Sequence, residues 1–307
     1  MATGIISVGY HLTGHDTLSD IMLVLAGAIW VVLAAAFAAT LLNDRPRWHA
    51  QAANPPALTA VAATCVLGAR LAMLGWRTTA GVLLAVAVAV WPPLLVSVMR
   101  HWKRPAPGSA FLVCVATQGI AVLAATLSAT GGRWLAWAAL AAFGLGIVLY
   151  GEALVRFDVR QVLTGAGDHW IAAGALAISA LSGSELTASP VWSGGGHAVL
   201  RTVTLVLLCA DFAWYAVLVV CEIVRPRPHY DIRRWSTVFP LGMTAVAALS
   251  TAAAADVPRL HTPGSALLWV AAAVWLLALA GLLHHLDPAL LRAGGSRGPI
   301  GGDRRSG

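Results

Sequence analysis

Long apolar runs broken by short polar stretches make up almost the whole chain, at residues 1–12, 18–42, 57–75, 78–100, 109–130, 132–155, 168–184, 197–224, 234–256 and 264–286. A helix needs about 20 apolar residues to cross a bilayer, and most of these runs reach or approach that length. The runs alternate in character. Odd-numbered runs carry Gly and small polar side chains: Thr3, Gly4, Ser7 and Gly9, then Thr59, Thr64 and Gly68, then Thr117, Gln118 and Gly119, then Gly174, Ser179 and Ser182. The ninth adds Ser236, Thr237, Pro240, Gly242, Thr244, Ser250 and Thr251. Even-numbered runs are built from Leu, Val, Ala and Trp, as in Ile21 to Leu42 and Leu267 to Leu283. A helix packed only against lipid gains nothing from hydroxyls, or from a proline whose lost backbone hydrogen bond neighbours or water must replace.

The alternation predicts an all-α membrane protein of ten transmembrane helices arranged as five hairpins. The odd helices form an inner ring of five, and the even helices form an outer ring of five. Small residues at the same positions also suit close helix packing. The repeat is one of pattern, not of exact sequence. The first run is too short to span about 30 Å of hydrocarbon at about 1.5 Å per residue, so the first helix reads as truncated and a start further upstream is expected. One transmembrane domain is expected over residues 1–286, with the Gly- and Arg-rich residues 287–307 as a disordered cytoplasmic tail.

Composition agrees with this class: 59% of the 307 residues are hydrophobic, 11% are charged and the mean hydropathy is +0.77. No soluble domain of this size is so apolar. Charge then sets the orientation. The breaks after even runs hold Arg45 and Arg47, Arg100, Lys103 and Arg104, Arg156 and Arg160, and Arg225, Arg227, Arg233 and Arg234, with four more arginines in the tail. Those after odd runs hold only Arg77, Arg133 and Arg259. The positive-inside rule therefore places both termini in the cytoplasm. The net charge of +7 lies mostly in these short breaks, so it reads as a topology signal and not as a nucleic-acid surface. No basic segment precedes the first apolar run, which argues against a cleavable signal peptide.

A few polar groups stand apart. Arg70, near the end of the third run, either reaches water at the external mouth or serves the pore, because a charge at that depth is expensive. Asp211, in the middle of the eighth, is expected to pair with another helix. Cys65, Cys114, Cys209 and Cys221 all lie inside apolar runs and read as small buried hydrophobes. His11, His15, His197 and His261 fall on the external side, with Asp16 and Glu185 nearby, a layer able to sense pH. Nothing in the spacing suggests a nucleophile, a phosphate loop or a metal site, so no catalytic residue, metal or cofactor is expected.

The stretches MATGIISVG (1–9), VAATCVLGARL (61–71), VATQGIAVLAA (115–125), DHWIAAGALAISAL (168–181) and RRWSTVFPLGM (233–243) fall on all five odd runs. Through them the chain resembles the tellurite-resistance/C4-dicarboxylate transporter family, similar in fold to the slow anion channels and part of the voltage-dependent anion channel superfamily. The resemblance implies ten helices with the five inner, odd ones lining a central pore, a homotrimer with one pore per subunit, and a gating phenylalanine on the ninth helix, here matched by Phe239 before Pro240.

The expected function is transmembrane transport of small anions of the C4-dicarboxylate, tellurite, sulfite, chloride or nitrate class, in the plasma (inner) membrane. Thr3, Ser7, Thr64, Gln118, Ser179, Ser236, Thr237 and Thr244 are the candidate pore lining, and Arg70, Arg233 and Arg234 the candidate anion attractors. The competing expectation is an intramembrane haem or redox protein using the histidines, which would need two of them at matching depth on facing helices.

Overall fold

The computed structural model describes residues 1–102, 104–165, 167–226 and 231–294, and their side chains apart from those of residues 130 and 286–294. Each apolar run forms a helix. In chain order they are α1 (Ala2–Leu12), α2 (Asp16–Asn43), α4 (Thr59–Met73), α5 (Arg77–Arg100), α6 (Leu112–Gly131), α7 (Arg133–Arg156), α9 (Ile171–Ala188), α10 (Gly194–Val224), α11 (Trp235–Ala254) and α12 (His261–Gly294). Two short helices lie in the polar breaks, α3 (Arg45–Ala52) and α8 (Gln161–Thr164). Asp44 caps α3 by accepting the Arg47 N–H at 3.0 Å. Among the described residues nine helices are long and apolar enough to cross a membrane, and the 11-residue α1 is not one of them. The expected tail boundary at residue 287 moves: α12 continues to Gly294, and residues 295–307 lie outside the described residues.

The packing follows one rule repeated five times. Helix α1 packs on α4, α4 on α6, α6 on α9, α9 on α11, and α11 back on α1. Each of the other long helices lies against the helix before it and against the next helix of that set: α2 on α1 and α4, α5 on α4 and α6, α7 on α6 and α9, α10 on α9 and α11, α12 on α11 and α1. Burial separates the two sets. The apolar stretches of α6, α9 and α11 are 94%, 89% and 83% buried, against 11% for α2 and 22% for α5. Exposed Val24, Val31, Val32, Leu33, Val148 and Leu277 on the outer set form the apolar surface a bilayer requires.

Two local features explain why the rule repeats. Every odd-to-even turn contains one residue with positive φ: Gly14, Gly75, Gly132, Gly194 and Asp256. A left-handed residue lets the chain reverse within a few positions, and glycine adopts that conformation without strain. Tryptophans of α2, α5 and α12 also donate their indole N–H to a threonine on α4, α6 and α1 respectively. Trp30 bonds Thr64 at 2.9 Å, Trp91 bonds Thr117 at 3.0 Å and Trp275 bonds Thr3 at 3.1 Å.

Each such bond satisfies a polar group that lipid cannot, and is worth about 1 kcal/mol. Trp30→Phe is therefore expected to lower stability in detergent by ~1 kcal/mol, because Thr64 keeps the Ala60 carbonyl as acceptor at 2.8 Å. Guanidinium-free thermal unfolding of purified protein measures this, and an unchanged midpoint contradicts it.

Candidate functional site

A narrow cavity of about 20 Å³ is walled by five helices, α1, α4, α6, α9 and α11. Helix α1 contributes Ile5 and Val8, α4 Cys65, Val66, Ala69 and Met73, α6 Gly119, Val122 and Thr126, α9 Ile178, Leu181 and Glu185, and α11 Met243. That volume holds about one water molecule. The wall is apolar except at the end where the inner helices finish, where Thr126 and Glu185 meet: the Thr126 hydroxyl lies 3.0 Å from the Glu185 Oε2.

Phe239 lies one helical turn before Met243 on α11, so the two share a face. It is buried, at 3% exposure. Its ring rests on Gly174 of α9, where an added Cβ would stand 3.1 Å from Phe239 Cε1 and 3.0 Å from Pro240 Cγ. The glycine therefore makes the space that the Phe-Pro pair fills. Pro240 has no N–H to give the Ser236 carbonyl, which loosens α11 at the same level. One turn further toward the start of the helix, Thr237 is buried with its hydroxyl unpaired among the described residues, and Ser236 is half-buried.

Basic side chains gather where α11 begins. Arg233 bonds Asp231 through Nη2 at 2.9 Å, and Arg234 Nη1 bonds Glu222 Oε1 at 3.0 Å. Asp231 also accepts the Arg233 backbone N–H at 2.8 Å. The Arg233 guanidinium, with that backbone bond, holds the Asp231 carboxyl down to about 2. Asp231 thus stays ionised and offsets part of the Arg233 charge. Arg225 lies nearby in sequence, and Arg227 falls outside the described residues.

Several predicted lining residues turn their polar atoms away from the cavity. Thr3 and Thr64 accept from outer tryptophans, as described above. Ser7 and Ser19 bond each other's carbonyls, at 2.7 Å in both directions. Gln118 donates through Nε2 to the Phe143 carbonyl of α7 at 3.1 Å, and Ser179 donates to the Ala175 carbonyl at 2.7 Å. Thr244 is fully buried opposite Asp211 of α10 but outside good hydrogen-bond geometry, so its hydroxyl and both Asp211 oxygens lack partners among the described residues.

Arg70 is only 1% exposed. Its Nε bonds the Ser19 hydroxyl at 2.9 Å and its Nη2 bonds Asp20 at 3.1 Å, which turns it toward α2 and leaves Nη1 unpaired. On the same side of the bundle His11 pairs with Asp16 at 2.8 Å, and the His15 ring packs edge-on against Trp269. No group of three or more metal-binding side chains occurs among the described residues.

The hydropathy pattern does not mark the cavity's own polar pair. It ends the seventh run at residue 184 and leaves Glu185 in the external layer beyond it, whereas α9 continues to Ala188. The usable signal was an acid directly abutting a polar-tolerant run.

Residues 1–283 match the family described as "Voltage-dependent anion channel". The chain is also 35% identical over 145 residues to uncharacterized membrane proteins from two strains of Mycobacterium tuberculosis, alignments that cover 43% of this chain and 71% of each relative.

Proposed function

Starting from the fact that this chain belongs to the voltage-dependent anion channel family, we propose that it conducts small anions across a membrane through the cavity enclosed by α1, α4, α6, α9 and α11. The carrying observation is that this one cavity takes its wall from every inner helix and from no outer helix. A conduction path needs such continuity, together with a constriction that can dewet or be blocked. At about 20 Å³ the lumen is closed to any hydrated anion, which supports reading this conformation as shut. Phe239 is the gate, seated on Gly174 one turn from the lumen-lining Met243, and Pro240 gives α11 the freedom to release it.

The helices form an inner ring of five and an outer ring of five, with both termini cytoplasmic in the plasma (inner) membrane. Arg233 and Arg234 then stand at the cytoplasmic mouth, where positive potential raises the local anion concentration. Thr237 and Ser236 lie along α11 between that mouth and Phe239, and their hydroxyls are placed to solvate an anion approaching the gate. The protein acts as a transporter or channel, not as an enzyme, and three copies assemble with one pore each. Its substrates belong to the chloride, nitrate, sulfite, tellurite or C4-dicarboxylate class.

Flux into proteoliposomes tests this reading. Vesicles carrying the purified protein are expected to take up at least one of chloride, nitrate, sulfite and malate faster than empty vesicles. Uptake at the rate of empty vesicles for every anion, with the protein folded, overturns it.

A further inference from the structure

The end of the lumen opposite Phe239 holds an acid, which is an unexpected group in a passage for anions. Glu185 and Thr126 are the polar pair in a wall otherwise made of apolar side chains, glycine and a cysteine. We propose that Glu185 is a proton-binding gate of the lumen: its ionised carboxylate turns anions away, and its protonated form lets them pass. The inference rests on the anion-conduction reading above.

The hydrogen-bond geometry supports both protonation states without any movement of the helices. The Thr126 hydroxyl stands 3.0 Å from Glu185 Oε2 and also 3.0 Å from the Val122 carbonyl. A hydroxyl has one proton to donate, so it can serve only one of these acceptors at a time. With Glu185 ionised, Thr126 donates to the carboxylate. With Glu185 protonated, the carboxyl O–H donates to Thr126, whose own proton turns to Val122. A binding proton comes from water at the mouth, since Glu185 is only half-buried and lies within one turn of the end of α9.

Among the described residues Glu185 forms no ion pair, and its side chain meets Thr126. Helices α6 and α11, which flank α9 in the ring, contain no charged residue. On α10, Arg201 donates to the Ala255 carbonyl at 2.8 Å, and His197 is half-buried just after the exposed start of the helix. On α7, Arg133 is exposed at the helix start. Across the lumen, Arg70 turns to Ser19 and Asp20. An ionised Glu185 therefore presents its charge to the lumen with little to screen it, and like charges repel more strongly in apolar surroundings than in water. Protonation removes the repulsion and leaves a hydroxyl donor facing a passing anion.

Chloride uptake into proteoliposomes, measured from pH 5 to pH 8, tests the gate. Wild-type uptake is expected to fall by about tenfold as the pH rises, the size of a modest change in electrostatic barrier. Glu185→Gln, which keeps the shape and cannot ionise, is expected to hold the high rate throughout, while Glu185→Asp restores a falling profile. His11, His15, His197 and His261 belong to the same side of the membrane in this topology, and a profile that survives Glu185→Gln would assign the effect to them and overturn the proposal. So would a wild-type rate that does not change with pH, a result that needs no variant to fold. No wild-type uptake at any pH, with no uptake of other anions, overturns the conduction reading itself and this gate with it.

Discussion

Phe239→Ala raises anion conductance of the reconstituted protein by about tenfold or more, equivalent to about 1.4 kcal/mol or more off the barrier. The Phe239 ring occupies the space left by Gly174, at the level where Pro240 has already removed one backbone bond from α11. Truncation to alanine removes the ring from a site next to the lumen and puts no polar group in its place, so the constriction widens and wets. A merely structural role predicts something else. Loss of a buried phenylalanine would cost about 3–5 kcal/mol of stability and leave conductance unchanged or lower. Single-channel recording with a parallel unfolding curve separates the two. Normal folding with unchanged conductance removes Phe239 from the gate.

Gly108→Ala is expected to be the most damaging single methyl in the described structure. An added Cβ there would fall 2.4 Å from the Asp168 carbonyl oxygen and 2.5 Å from His169 Cα, both backbone atoms that cannot rotate away. Gly108 begins the 3-10 turn leading into α6, and Asp168 begins the one leading into α9. Its N–H also donates to the Gln161 side chain at 3.1 Å, and the neighbouring Ala106 N–H bonds the Arg156 carbonyl at 2.8 Å. The clash thus pries apart the crossing of two ring neighbours where they enter the bundle. We expect a loss of about 3 kcal/mol, at the top of the range for overpacking. Thermal unfolding in detergent measures it, and Gly108→Ala with a wild-type midpoint contradicts the tight crossing.

The parts legible in the sequence were those that depend on the membrane as solvent. Hydropathy located every long helix because lipid penalises each polar backbone group not satisfied within its own segment. The contrast between runs such as Thr117-Gln118-Gly119 and the Leu-, Val- and Trp-rich even runs pointed to the more buried set, since a helix shielded by others escapes the lipid and can carry polar atoms. The direction of those atoms was not legible. Thr64, Thr117 and Thr3 bond outer tryptophans, while the lumen wall is Ile5, Gly119, Ile178 and Met243. A polar residue on an inner helix can be there for the pore or for the neighbouring helix, and helical spacing alone does not separate the two. Glu185 was missed for a simpler reason: an end set a few residues early puts a lumen carboxylate in a loop. The positive-φ residues of the odd-to-even turns were not read from the sequence: four are glycines, Gly14, Gly75, Gly132 and Gly194, whose type permits that conformation without requiring it, and the fifth is Asp256.

The central claim is that the lumen of α1, α4, α6, α9 and α11 passes anions. The reversal potential of Phe239→Ala in a planar bilayer under a potassium chloride gradient tests it most directly. A potential near the chloride equilibrium value is predicted, and one near the potassium value, or no current above the bare bilayer, would contradict it.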